Sequence, residues 1–208
     1  MKARTIKVSK KIVSWMLVLS LAFLTGMITS AKVLNTHGWK ISSAITFVPS
    51  NKFGSTTISH MNEALWQWNK AAGKDIMFRS ATERHSLNNY KTINSATGRY
   101  ANRDGRNYIY NMQRGMDGII GEADVQQTGG IVYEADIIYN TSYPFANSAQ
   151  SGKYDSWSLM VHEAGHVAGL AHNNSFSSVM YNTFGDHVGS TQWRYLSADD
   201  EDTVDAIY

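Results

Sequence analysis

Three of the chain's seven histidines fall in the stretch HEAGHVAGLAH, from His162 to His172. Residues four apart on a helix share a face, so His162 and His166 carry their imidazoles one turn apart on one side. Glu163 follows about 100° further round, beside that edge and not on it, where a carboxylate can hold and deprotonate a water. Gly169 has no Cβ and can take the left-handed conformation that closes a helix. The chain can then turn and bring His172 to the same point as the other two. Three neutral imidazoles with an open fourth position are the ligand set of a catalytic zinc centre, not of a closed structural one. Copper, cobalt or nickel bind the same nitrogens, but a tetrahedral imidazole site suits zinc. Zinc lowers the pKa of its water towards about 7 and polarises a carbonyl. The expected reaction is peptide hydrolysis, with Glu163 as general base and then as acid to the leaving amine.

Such a centre needs a helix, a turn and a rigid support. The helix is expected to begin near Asp155 or Ser156, either of which can cap it. Upstream, SAITFVPS (43–50) alternates well enough for a strand. In STTISHMNEALWQWNKAAGK, Ile58, Met61, Leu65 and Trp68 recur at helical spacing and Gly73 offers a stop. DIMFRS (75–80) reads as a short strand, and the Asn-, Ser- and Thr-rich stretch 81–103 as a long surface loop. NYIYNM (107–112), GIIGEADV (118–125) and GIVYEADIIYN (130–140) read as three further strands, with Gly129 and Gly130 separating the last two. The polar segment 141–153 leads into the histidine-bearing helix. LSADDEDTVDAIY closes the chain as a short helix whose Asp199, Asp200, Glu201 and Asp202 suit the positive end of its dipole. This order predicts an α+β domain with one mixed, twisted sheet, a long first helix, an active-site helix and a C-terminal helix.

Length and composition agree with one domain. The chain has 208 residues, 43% hydrophobic and 17% charged, enough to bury a core and too few for two comfortable domains. Its formal charge of +2 is misleading, because Lys2, Arg4, Lys7, Lys10 and Lys11 crowd the start. From Lys32 onward 14 basic residues face 17 acidic ones, so no basic stripe invites nucleic acid. The basic start precedes an apolar run, Ile12 to Ile28, and then Thr29-Ser30-Ala31. That layout predicts a signal peptide over 1–31, cleaved after Ala31, with an uncleaved membrane anchor as the alternative. The mature domain is then 32–208. The chain contains no cysteine. A disulfide-free exported domain fits a bacterial, Gram-positive source, and thiol chemistry is excluded.

The metal motif resembles the HExxHxxGxxH signature of the metzincin zinc endopeptidases. SSVMYN, with Met180 eight residues after His172, resembles the Met-turn of that family, where the methionine is a packing platform beneath the metal and not a ligand. Within the metzincins the chain is most similar to the matrixins, in a minimal bacterial form, from Ile45 to Tyr208. Astacin-like and serralysin-like enzymes carry a metal-reaching tyrosine two residues after the methionine, but Asn182 stands there and Tyr181 follows Met180 directly. No tyrosine ligand is assigned. The cysteine switch that silences matrixin zymogens cannot operate here. The region 81–117 has His85 as its only histidine, so no second, structural zinc is expected, while calcium is left open. The resemblance implies a monomeric enzyme whose substrate lies extended along an edge strand, for which GIIGEADV is the candidate, with a pocket wall after His172 and around 180–185. It also implies that Asp199 or Asp200 anchors the mature amino terminus.

Other residues read as structural. His60 is expected to pair with Glu63 on the first helix, and His37, His85 and His187 are isolated in sequence. Trp39, Trp66 and Trp68 are expected in packing. A solvated, dipole-matched helix start accounts for the acidic run at 199–202. Against a secreted peptidase stands a zinc-holding binding module, which would have no use for a carboxylate at 163.

Overall fold

The computed structural model describes residues 35–94, 98–183 and 187–208. The segment read as signal peptide or anchor lies outside them, as do positions 184 and 185 of the expected pocket wall. Among the described residues, no helix is long and apolar enough to cross a membrane.

Six strands form the main sheet: β1 (Lys40–Ile41), β2 (Ile45–Pro49), β3 (Met77–Arg79), β6 (Asn107–Met112), β7 (Gly121–Thr128) and β8 (Ile131–Asn140). β8 pairs in parallel with β6 and, at its first residues, with β1; β6 continues in parallel to β2 and β3. β7 alone in this sheet runs antiparallel, and β8 is its one partner among the described residues. The α+β, mixed-sheet expectation therefore holds. Both faces of β2, β6 and β8 are covered, which is why these strands read as nearly continuous apolar runs. Phe47, Ile109 and Ile137 face the helices, while Val48, Tyr108, Tyr110 and Ile138 face the stretch after β3. That stretch is not plain loop: it contains the two-residue strands β4 (Ile93–Asn94) and β5 (Arg99–Tyr100) and a short 3-10 turn at Ala101–Arg103. Two further short strands, β9 (Phe145–Ala146) and β10 (Tyr154–Asp155), lead to the active-site helix.

The register of β7 decides what its free side offers. The Asn140 N–H donates to the Ile120 carbonyl at 3.0 Å, and Gly121 pairs with Tyr139. Even-numbered residues therefore bond to β8, and Gly121, Ala123 and Val125 turn their N–H and C=O groups outward. The expected edge strand is an edge, beginning at Gly121 and not at Gly118.

Helix α1 (Ser55–Ala71) buries Ile58, Met61, Leu65 and Trp68, the stripe expected from the sequence. It closes on Gly73, at φ +64°, with Lys74 N–H donating to the Asn69 carbonyl and Gly73 N–H to that of Lys70. Trp66 is a correction: it is 57% exposed on the outer face, with Lys70 over its ring. Residues 65 and 66 lie about 100° apart on a helix, so only one of them can face the core.

Helix α2 (Ser156–Val167) starts at Asp155, whose carboxylate accepts from Ser158 N–H and Oγ and from both Nε and Nη2 of Arg194. The cap is thus also an ion pair, with the carboxylate buried and the guanidinium half-buried. Helix α3 (Ala198–Ile207) starts with a reciprocal cap between Ser197 and Asp200.

On the far face of the sheet, Asp136 of β8 stands directly opposite Asp124 of β7, near Glu134 and Asp104. Burial holds the Asp136 carboxyl well above the usual range; the Tyr108 N–H opposes this, and the three neighbouring carboxylates add to it. Folding thus raises this pKa, so the native state binds more protons than the unfolded chain above about pH 4, and stability falls as pH rises from there. Asp136→Asn is expected to raise the melting temperature by a few degrees at neutral pH. The gain should vanish as the pH approaches about 4, a trend that thermal melts across this range would show.

Candidate metal centre

The three histidines of the motif converge. His172 Nε2 lies 3.1 Å from Nε2 of both His162 and His166. His162 Nδ1 donates to the Val179 carbonyl at 2.7 Å and His166 Nδ1 to that of Leu170 at 2.9 Å. Each bond places the ring proton on Nδ1 and leaves the Nε2 lone pair facing the common point. Burial lowers the pKa of all three, well below its usual value for His162, to about 4 for His166, and to a lesser degree for His172. His162 and His166 thus turn two bare lone pairs towards His172 Nε2, an arrangement that a shared cation would satisfy. Imidazole nitrogens at zinc's bond length of about 2.0–2.1 Å in a tetrahedral array stand about 3.3 Å apart, so the donor set fits that ion. Among the described residues, these three are the one group of His, Cys, Asp or Glu side chains placed to share a metal.

The turn that brings in His172 depends on glycine. After α2, Gly169 N–H donates to the His166 carbonyl and Leu170 N–H to that of Gly165, the paired bonds that close a helix on a left-handed residue. Gly169 has φ +104°, and a Cβ there would also run into the Trp39 carbonyl oxygen. Its missing side chain therefore serves both the turn and the close approach of residues 35–39. That segment is fixed to the turn by bonds from His37 N–H to the Gly169 carbonyl and from Ala171 N–H to that of Asn35, both at 2.8 Å. The Tyr208 hydroxyl accepts from Ile41 N–H and donates to the Ala168 carbonyl, tying β1 to the same helix end.

Beneath the helix, Met180 is fully buried against Gly165. A Cβ on Gly165 would strike the Met180 sulfur and stand 2.7 Å from Trp68 Cζ2. Trp68 cannot yield easily, since its indole N–H donates to the Val161 carbonyl at 2.9 Å. Gly165→Ala is expected to cost about 1–3 kcal/mol of stability by overpacking and to weaken zinc affinity by shifting the helix between two of its ligands. Chemical denaturation and competitive chelator titration would measure the two effects. The methionine turn is held in place by Asp200, which accepts from Ser178 Oγ and from Val179 N–H, and Val179 carries the carbonyl that orients His162. The expectation of a solvated acidic helix start fails at this position. Asp200 is fully buried, and its bonds go to this turn and to its own cap.

Glu163 lies beside the triad, 5% exposed. Burial first, then the nearby Glu122 carboxylate, pushes its pKa up to about 8, while the Ala123 N–H on the outward side of β7 opposes them. A divalent cation on the histidines would act in the same direction as that N–H. A Cβ on Gly121 would stand 2.7 Å from Glu163 Oε1 and 2.5 Å from Leu159 Cδ1, so the glycine lets the carboxylate sit against the strand. The cleft above the metal point has a volume of about 570 Å³. The β7 edge and its approach, from Gly118 to Ala123, form one side, and His37, Trp39, Asn182 and Thr183 line the rest.

The structure thus brings His162, Glu163, His166, Gly169, His172 and Met180 into one centre, and it adds a residue that spacing did not reveal. His37 is not isolated: it stacks on Trp39 and its Nε2 lies 3.4 Å from His166 Nδ1. Nothing in the local sequence links position 37 to position 166; only the pairing across the Gly169 turn does. Two other expectations are corrected or refined. His60 stacks on Trp157 of α2, and Glu63 is only a minor electrostatic neighbour. His85 and His187 are buried, one bonded to the Ile109 carbonyl and the other stacked on Trp193.

Residues 35–208 match the Peptidase_M10 family model, described as Matrixin. Metalloendoproteinase 1 of Glycine max is 25% identical over 162 residues, 78% of this chain and 48% of that protein, so the chain spans about half the length of this relative. Among solved structures, High choriolytic enzyme 1 (HCE-1), a hatching enzyme zinc-protease from Oryzias latipes, aligns with a TM-score of 0.42 at 12% identity. That alignment covers 81% of this chain and 92% of the other.

Proposed function

The chain belongs to the matrixin family of zinc metallopeptidases, and from that premise we propose that it is a secreted endopeptidase that cuts extended peptides laid antiparallel along the β7 edge. The observation that carries this reading is the position of Glu163, a buried carboxylate between a three-histidine metal point and an outward-facing strand edge. A binding module would gain nothing from such a group.

Zinc, when bound by His162, His166 and His172, supplies a Lewis acid that polarises the scissile carbonyl and acidifies a water. The chain's own residues do the rest. The outward N–H and C=O of Gly121 and the C=O of Ala123 align the peptide by strand addition, while the Ala123 N–H holds Glu163. Glu163 takes a proton from the attacking water as the C–O bond forms. It then gives that proton to the nitrogen as the C–N bond breaks, releasing a carboxylic acid and an amine. The backbone carbonyls of Val179 and Leu170 keep the two helix imidazoles oriented throughout.

The test is to express the full chain in a Gram-positive host, then measure zinc in the purified protein and its cleavage of a broad peptide library. About one zinc per chain and internal cuts are expected, and material recovered from the medium should begin at Lys32. Zinc binding without any cleavage would favour the binding-module reading, while a retained amino-terminal segment would favour a membrane-anchored peptidase.

A further inference from the structure

The amino-terminal strap 35–39 forms a wall of the cleft that the catalytic reading does not use. His37 lies nearly flat on Trp39, with ring centroids 4.4 Å apart and planes 10° apart. The Trp39 indole N–H is committed to the His166 carbonyl at 3.1 Å, so the cleft meets its ring surface and not a donor. His37 is exposed, Trp39 is half-buried, and both line the cleft that holds the metal point. The strap is fixed at two backbone points to the turn after α2, so the stack is presented ready-made.

Strand direction tells which end of a substrate meets it. Trp39 leads directly into β1, which pairs with Ile131 and Val132 of β8. Those residues pair in turn with Thr128 and Gln127, at the far end of β7. A peptide antiparallel to β7 starts at that end and leaves past Gly121 and Gly118, which line the same cleft. The stack therefore flanks the amino side of the bond to be cut.

We propose that His37, backed by Trp39, is a specificity-determining shelf that favours an aromatic or other flat apolar side chain on the amino side of the scissile bond. This rests on the peptidase reading for its substrate path. Stacking of one ring on such a shelf corresponds to a preference of about 3–10-fold.

The experiment separates binding from cutting. In the full-length, zinc-loaded Glu163→Gln protein, anisotropy would measure the affinity of fluorescent peptides carrying one Phe at each position in turn of an Ala/Ser/Gly host. Cleavage of the same peptides would be followed with Glu163 intact. Phe is expected to tighten binding about 3–10-fold at one amino-side position. His37→Ala should remove that gain and leave carboxy-side preferences in place, and His37→Phe should restore it. The shelf is overturned if the gain survives His37→Ala, or if His37→Ala weakens every position equally together with zinc retention, which would mark a role in holding His166. A His37-dependent gain in binding, with no cleavage by any form that keeps Glu163, would leave the shelf standing and sink the peptidase reading instead.

Discussion

Glu163→Gln is expected to lower kcat/KM for peptide hydrolysis by about 10²- to 10⁴-fold, the range associated with losing a positioned general base. Zinc content should be unchanged, because the three ligands and their carbonyl partners are untouched. Glutamine keeps the shape that fits against Gly121 but cannot take a proton. The loss should therefore appear in kcat with little change in KM, as expected for an interaction made only in the transition state. Stability should be equal or slightly higher, since a neutral amide replaces a carboxylate whose ionisation burial disfavours. Steady-state kinetics, metal analysis and a thermal melt on one preparation are sufficient. A variant retaining more than about a tenth of wild-type kcat would remove Glu163 from the chemistry.

Stripping the metal should abolish cleavage and also loosen the fold. The Nε2 atoms of His162, His166 and His172 converge at close range, with His162 buried, His166 half-buried and His172 exposed. A shared cation is what ties these three residues together. Free zinc at a thousand times its dissociation constant stabilises the native state by about 4 kcal/mol, or roughly 10 °C in a domain of this size. Chelation by a strong zinc ligand should therefore lower the melting temperature by about that amount, and stoichiometric zinc should restore both stability and activity. His172→Ala provides the control. It removes one ligand from a residue outside the helix, so the protein should fold with a low melting temperature that neither chelator nor zinc moves.

Much of this centre was legible because its geometry is local. His162, Glu163 and His166 share one helix, and the glycine that ends it is three residues away, so spacing alone implied a tripod. The stripe of α1 and the apolar runs of β2, β6 and β8 were legible for the same reason: a regular period against a buried face leaves a trace in the order of residues. The support of the site left none. β1 is two residues long and forms only by pairing with Ile131 and Val132. Asp200 reads as one more acid at a helix start, yet it holds the turn of Val179 from 21 residues away. Gly165 and Gly121 look like ordinary small residues until Met180, Leu159 and Glu163 are packed against them. His37 needed the whole fold to find His166. Each of these depends on contacts between distant segments, which neither propensity nor periodicity encodes.

The outward side of β7 has a second consequence. An open ladder of N–H and C=O groups is a template for any strand, including the same strand of another molecule. Here the ladder is regular only from Gly121 to Gln126, and the register shifts between Gln126 and Gln127. Such a break increases local twist and ends regular pairing. Glu122 and Asp124 occupy the intervening pleats, so two copies meeting edge to edge would bring acid against acid before reaching the irregularity. The edge can receive a short strand but cannot propagate a long one, and that protects a protein with a permanently open strand edge from growing into β-aggregates.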